Sequence, residues 1–285
     1  MPEKHVDIIP DKEYNRNIIT GYRAIRKPFG KGGEKMKTIL TSSLGGQIKA
    51  NGRRIPTALS EDNGLLQLLR SVWKPESKVL IISGSPEYYE KNDDVRNCLK
   101  ESFRLSGLSH SEFLMCDGRN KDIAGHIPET DAVILAGGHV PTQNAFMKEI
   151  GLKEKLADYK GLILAWSAGS MNSAKTVYAG PELPGEAIDP SYRRWISGLG
   201  LTETNIFPHF ESLREEMLDG MRLIEDITFA DSMGHEITAL NNGSYIVSEN
   251  GVETLYGEAY SIKDGVMKQI CRNGGSIILG GQERK

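Results

Sequence analysis

The chain reads as an α/β protein: a three-layer α/β/α sandwich around a mostly parallel sheet, closed by a C-terminal β-meander. Three observations predict it. Short, almost wholly apolar runs recur at residues 79–82, 113–116, 132–135 and 162–165, as strands covered on both faces require. Segments of helical spacing separate them, the alternation expected of parallel strands joined by right-handed crossovers. Past residue 236 the pattern changes to alternating strands punctuated by Asn242-Gly243, Asn250-Gly251 and Asp264-Gly265, which favour tight hairpin turns.

Taken in order, residues 1–35 hold eight Lys and Arg against five Asp and Glu, so this segment carries +3 and the remaining 250 residues −6. It closes on Gly30, Gly32 and Gly33 and reads as an N-terminal extension to a main domain spanning 36–285. Lys37-Thr-Ile-Leu-Thr-Ser-Ser opens that domain as a strand, and a helix is expected near residues 59–73. The run at 79–82 ends in Ser83-Gly-Ser-Pro, followed by a helix whose Val95, Cys98, Leu99 and Phe103 share one face. A further helix is expected near 144–158, and the last residues, 280–285, read as a frayed tail.

Composition narrows the function classes. The 285 residues carry 35 Lys and Arg against 38 Asp and Glu, a formal charge of −3, with 39% hydrophobic residues. The apolar runs fall far short of the roughly 18 to 20 residues that span a bilayer, so no membrane partner is expected. Charges and Pro10 stand where a secretory signal needs an apolar stretch, which predicts a cytoplasmic protein. The weakly acidic balance argues against a nucleic-acid partner. Cys98, Cys116 and Cys271 form no C-x-x-C pair and read as reduced thiols, so neither metal nor cofactor is expected.

The sharpest chemical signal is Leu162-Ile-Leu-Ala-Trp-Ser167-Ala-Gly-Ser, an apolar strand running into a small-residue turn around a serine. It matches a nucleophile elbow, in which neighbours two before and two after the serine must be small; Ala165 and Gly169 satisfy this. The amide of Ala168 would open the following helix, where free N–H groups favour a developing oxyanion. Gly138, in the loop Ala136-Gly-Gly-His139, is the candidate second donor, because glycine lets a backbone amide approach a ligand. His139 sits beside that loop and could contact substrate. A serine needs a base, and His209, in Asn205-Ile-Phe-Pro-His-Phe-Glu, is the best placed of six histidines. For the acid that orients it, the stretch between Ser167 and His209 offers Glu182, Glu186, Asp189 and Glu203, among which spacing does not choose.

Together, Val133-Ile-Leu-Ala-Gly-Gly, Ala165-Trp-Ser-Ala-Gly and Phe207-Pro-His-Phe resemble the dipeptidase E and cyanophycinase family of serine peptidases. The resemblance covers roughly residues 36 to 270, since Leu240-Asn-Asn-Gly-Ser-Tyr-Ile-Val is similar to the family's final hairpins. It implies a class I glutamine amidotransferase-like, flavodoxin-like fold with serine in place of the amidotransferase cysteine, and cleavage of small peptides carrying aspartyl groups. Dipeptidase E removes N-terminal Asp. On matching positions Ser167 would be the nucleophile and His209 the base, with the amides of Gly138 and Ala168 as oxyanion hole. Glu182 falls where the ungapped match puts the family's acid, ahead of Glu186. The family loop Gly-Gly-Gly-Asn-Thr is here Ala136-Gly-Gly-His-Val, which alters the substrate-facing side. Arg214, in Glu211-Ser-Leu-Arg-Glu-Glu, is the stand-in for the family's arginine on the substrate carboxylate.

The reading is therefore a cofactor-independent serine peptidase, monomeric or homodimeric, acting on small peptides through Ser167, His209 and Glu182. An esterase-like hydrolase shares the elbow and residue order, but such enzymes generally draw their histidine from nearer the chain end. A non-catalytic protein that binds a ligand at the altered loop is the third reading.

Overall fold

Alternate residues along the central strands feed opposite hydrophobic layers, which is what makes the sheet the middle of a sandwich. The computed structural model describes residues 36–50 and 52–280; the expected N-terminal extension, 1–35, and most of the expected tail lie outside the described residues. The chain runs through β1 (Lys37–Thr41), the antiparallel pair β2 (Gly45–Ala50) and β3 (Arg53–Leu59), α1 (Leu65–Val72), β4 (Ser77–Gly84), α2 (Tyr89–Leu105) and β5 (His110–Cys116). It continues through β6 (Ala132–Gly138), α3 (Val140–Glu149), α4 (Leu152–Leu156), β7 (Leu162–Trp166) and α5 (Ala168–Asn172). After these come β8 (Thr176–Tyr178), β9 (Trp195–Ser197), β10 (Ile206–Phe207), α6 (Phe210–Leu213), β11 (Met217–Leu218), β12 (Met221–Arg222) and α7 (Phe229–Asp231). The last strands are β13 (Glu236–Leu240), β14 (Tyr245–Glu249), β15 (Val252–Tyr256), β16 (Ala259–Lys263), β17 (Val266–Cys271) and β18 (Ser276–Leu279).

The main sheet has the order β18-β15-β14-β1-β7-β6-β4-β5. β1, β7, β6, β4 and β5 are mutually parallel, and β14, β15 and β18 add an antiparallel edge. Leu80, Ile82, Val133, Leu135, Ile163 and Ala165 join Phe146, Met147, Leu152 and Leu156 of α3 and α4 in one layer. Their strand neighbours Val79, Ile81, Ile134 and Leu164 join Leu65, Leu66 and Leu69 of α1 and Leu99 and Phe103 of α2 in the other. Full burial of each such side chain contributes roughly 1.5 to 3 kcal/mol. The expected α/β/α architecture is present.

Two expectations need correcting. The helix expected near 144–158 is two helices, α3 and α4, because Gly151 at φ +60° ends the first. The terminal strands do not form one meander: β13, β16 and β17 join β10 in a second, four-stranded sheet, while β14, β15 and β18 extend the first. Asn250-Gly251 and Asp264-Gly265 do make hairpin turns, each with both residues at positive φ as the two-residue turn demands. Asn242-Gly243 instead carries the chain from one sheet to the other, with only Gly243 at positive φ (+81°).

The C-terminal ends of the parallel strands share one edge, the usual ligand-facing edge of such sheets. There Ser83 donates to Asn92 Oδ1 (2.8 Å), and Asn92 Nδ2 and Arg119 Nη2 donate to the buried Asp117 (3.1 and 2.7 Å). Burial works to raise the Asp117 carboxyl, but the Arg119 and Asn92 hydrogen bonds outweigh it and hold it below its ordinary value. A lowered carboxyl stabilises the fold above about pH 4, and that contribution is lost as pH falls through its folded value. Asp117→Asn is therefore expected to reduce proton uptake on acid unfolding by up to about one proton, read from the slope of stability against pH.

Candidate active site

Ser167 sits between β7 and α5 at φ +52°, ψ −123°, a backbone conformation that non-glycine residues rarely adopt. Three contacts hold it there. Its amide donates to Thr41 O at the end of β1 (3.1 Å), Ser170 Oγ donates to the same carbonyl (2.8 Å), and the Met171 amide donates back to Ser167 O (3.1 Å). Small neighbours make the turn possible. A Cβ on Gly169 would stand 2.2 Å from Leu135 O, and one on Gly137 would stand 2.6 Å from Trp166 Nε1 and 3.2 Å from Ser167 Cβ. Ser167 is half-buried, and its hydroxyl has no hydrogen-bond partner among the described residues.

The glycines that end β6 lie against this turn. Gly138 pairs with Gly84 of β4, so closely that a Cβ on Gly138 would be 2.2 Å from Gly84 O. Ala168 is buried at the start of α5. The two expected oxyanion donors thus stand at the ends of adjacent strands, β6 and β7, and Gly137, which the sequence reading passed over, presses on the serine.

His209 follows β10 at φ +58° and is half-buried. Its amide donates to Ser42 Oγ (2.8 Å), one residue beyond the Thr41 carbonyl that holds Ser167. The Ser167 turn and the His209 turn are therefore anchored on consecutive residues of one strand end. The imidazole Nδ1 lies 2.7 Å from Asn242 Oδ1. An amide oxygen only accepts, so in the neutral ring Nδ1 carries the proton and Nε2 the lone pair that a general base needs.

The acid expected beside His209 is elsewhere. Glu182 lies in the loop after β8, where its carboxylate accepts from the Val140 amide at the start of α3 (3.4 Å). The residue is exposed to solvent, yet the carboxyl itself is desolvated: burial pushes it up to about 7, the Val140 hydrogen bond opposes this and the charge of Glu186 adds to it. Glu186 accepts from the Glu182 and Leu183 amides (2.8 and 2.9 Å) and stands 2.8 Å from His139 Nε2, an ion-pair distance without hydrogen-bond alignment. Asp189 caps Ser191, and Glu203 lies 3.4 Å from Lys175. None of the four acids bonds to His209. The physical reason is that the loop between β8 and β9, which carries the first three, closes over the start of α3, on the oxyanion-loop side, whereas His209 faces the β13–β14 connection.

His139 Nδ1 is hydrogen-bonded to Thr142 Oγ1 (2.8 Å), while Nε2 stands 2.8 Å from Glu186 Oε1 without a hydrogen bond. Arg214 is exposed, with Nε 4.0 Å from its neighbour Glu215. The three cysteines are buried; burial raises each thiol, Cys116 to about 12, which leaves them weak nucleophiles. Among the described residues no group of three or more His, Cys, Asp or Glu could hold a metal ion, and no helix is long and apolar enough to cross a membrane.

A match to Peptidase family S51 spans residues 86–255, which includes Ser167, His209 and Asn242. The crystal structure of a peptidase from an acI-B1 Actinobacterium superposes with a TM-score of 0.59 at 16% identity, covering 85% of this chain and 96% of that one. A candidate peptidase E protein from Listeria monocytogenes EGD-e gives a TM-score of 0.49 at 15% identity, covering 82% and 98%. No curated protein matches the chain.

Proposed function

Since the chain belongs to peptidase family S51, and is thereby a serine peptidase, we propose that it hydrolyses small peptides through an acyl-enzyme formed on Ser167, with His209 as general base and Asn242 orienting the imidazole. One observation carries this reading: the Ser167 and His209 amides are fastened to Thr41 and Ser42, consecutive residues of one strand end. His209 Nε2 takes the Ser167 hydroxyl proton as Oγ bonds to the scissile carbonyl carbon. The amides of Gly138 and Ala168 are the proposed donors to the tetrahedral oxyanion. As the C–N bond breaks, the imidazolium gives its proton to the leaving amine; water then repeats the sequence and frees the serine. With its oxygen on Nδ1, the Asn242 amide holds the tautomer this chemistry needs, without supplying the charge of an acid.

The surroundings of the site bear on the substrate. Arg214, expected to meet a substrate carboxylate, already faces Glu215, His139, expected to contact substrate, stands beside Glu186, and Glu182 adds a further acid beside the oxyanion loop. This favours small peptides without an N-terminal aspartate. The test is release of free amino acids from a dipeptide panel, including Asp-X, Ala-X, Lys-X and β-Asp-Arg, by the protein and by Ser167→Ala. Serine-dependent cleavage outside the aspartyl set is expected; cleavage confined to Asp-X would refute the specificity, and cleavage that persists without Ser167 would refute the mechanism.

Glu182 has no part in this mechanism, and its substitution separates the two accounts. Glu182→Gln is expected to leave turnover within about threefold, against the loss of 100-fold or more that follows removal of a working triad member. Its effect should appear in stability. A raised carboxyl contributes stability below its unfolded value, and loses it as pH rises through about 7. Thermal melts should show Glu182→Gln matching the parent near pH 4 and exceeding it modestly above pH 7.

A further inference from the structure

The third position beside His209 is held by a neutral amide, so nothing in direct contact with Nδ1 offsets the positive charge that the imidazole gains when it takes the serine proton. The residue that holds Asn242 does carry a charge. Glu211 accepts the Asn242 backbone N–H with both carboxylate oxygens, at 2.9 Å each. It stands in the first turn of α6, two residues beyond His209, so the three residues close a ring: His209 Nδ1–H to Asn242 Oδ1, Asn242 N–H to Glu211, and Glu211 back along one turn to His209. Ser42 Oγ braces the ring from β1, accepting from the His209 amide (2.8 Å) and lying 3.3 Å from Asn242 Oδ1.

From this geometry we infer that Glu211 is the positioning residue of the triad: it aims Asn242 at His209 and supplies, one residue removed, the negative charge that an acid in contact with the histidine would supply. The inference rests on the assignment of Ser167 and His209 given above. Other carboxylates nearby are otherwise engaged. Asp62 and Glu258 line, with Glu211 and Asn242, a polar cavity of about 230 Å³. Asp62 accepts from Ser60 (2.6 Å), and Glu258 accepts from Tyr260 (2.5 Å) and Gln269 (3.1 Å). Neither bonds to Asn242 or His209. Arg214, in the turn after α6, faces Glu215, so Glu211 forms no ion pair with it.

Glu211→Gln separates holding from charge, because the glutamine carbonyl still accepts the Asn242 N–H while the charge is gone. Ser167 reactivity can be read with a fluorophosphonate and no knowledge of the substrate: Oγ bonds to phosphorus, the P–F bond breaks, fluoride leaves and the proton passes to His209. Labelling mapped to Ser167 in the parent protein, and absent in Ser167→Ala, establishes the underlying reading by itself; no labelling of the parent would defeat that reading rather than the role of Glu211. With the parent labelled, Glu211→Gln is expected to slow the rate about tenfold with unchanged melting temperature, a modest effect because the carboxylate is solvent-exposed and screened. Glu211→Gln combined with Asn242→Asp, which puts a carboxylate in direct contact with Nδ1–H, should recover the parent rate to within about threefold. Asn242→Asp alone should hold or raise it. Parent-like labelling of Glu211→Gln, failure of Asn242→Asp to restore it, or a loss of tenfold or more in Asn242→Asp alone would each overturn the proposal.

Discussion

Ser167→Ala is expected to reduce peptide hydrolysis by at least about a thousandfold while leaving the melting temperature within a few degrees of the parent. The size follows from the role: without the hydroxyl no acyl-enzyme forms, and only binding and the oxyanion donors remain to assist direct attack by water. The preserved fold follows from the turn. Its hydrogen bonds use the backbone of Ser167, the Thr41 carbonyl and the Ser170 side chain, and none uses the Ser167 hydroxyl. Alanine adopts the positive φ no more comfortably than serine, so the strain is the same in both proteins. Amino-acid release measured beside calorimetry tests both halves, and a fully active Ser167→Ala protein would end the mechanism.

Gly169→Ala is the substitution expected to damage fold and activity together. The new methyl would lie 2.2 Å from Leu135 O and 2.9 Å from Ala136 O, both backbone atoms of β6. Neither can swing aside as a side chain could, so α5 must lift away from the sheet. Overpacking of this kind costs about 1 to 3 kcal/mol. The lift also moves the Ala168 amide and Ser167 relative to the Gly137-Gly138 loop, and a displacement near 1 Å from productive geometry costs about 100-fold in rate. Denaturant unfolding and turnover of the same sample check the two effects. Parent stability with parent turnover would show that β6 and α5 are less closely coupled than their approach implies.

The sequence exposed most of the fold and part of the candidate site. The parallel strands were legible because burial on both faces leaves continuous apolar runs, as in residues 79–82 and 162–165, whose neighbours now divide between two layers. Ser167 was legible because an elbow needs small residues at fixed offsets, and Gly138 because tight approach at a strand end excludes any Cβ. Asn242 escaped because its evident local meaning, Asn followed by Gly between strands, is a hairpin turn. Its contact with His209 is set by a crossing between two sheets that no local pattern records. Ser42 escaped for the same reason, since it reads as the end of the first strand until the chain brings residue 209 to it. Glu182 illustrates the converse: the ungapped match singled it out, but the loop that carries it folds over the start of α3.

The anchoring of Ser167 and His209 on Thr41 and Ser42 also bears on how the protein is made. Four parts of the chain, near residues 41, 167, 209 and 242, must meet before the histidine is oriented. During synthesis the elbow emerges well before β13 and the Asn242 turn, so a nascent chain carries the proposed nucleophile without its proposed base aligned. Contacts of such sequence separation form late, because their loops must close first. On the proposed mechanism, peptidase activity is therefore expected only once the second sheet docks, late in the chain's synthesis.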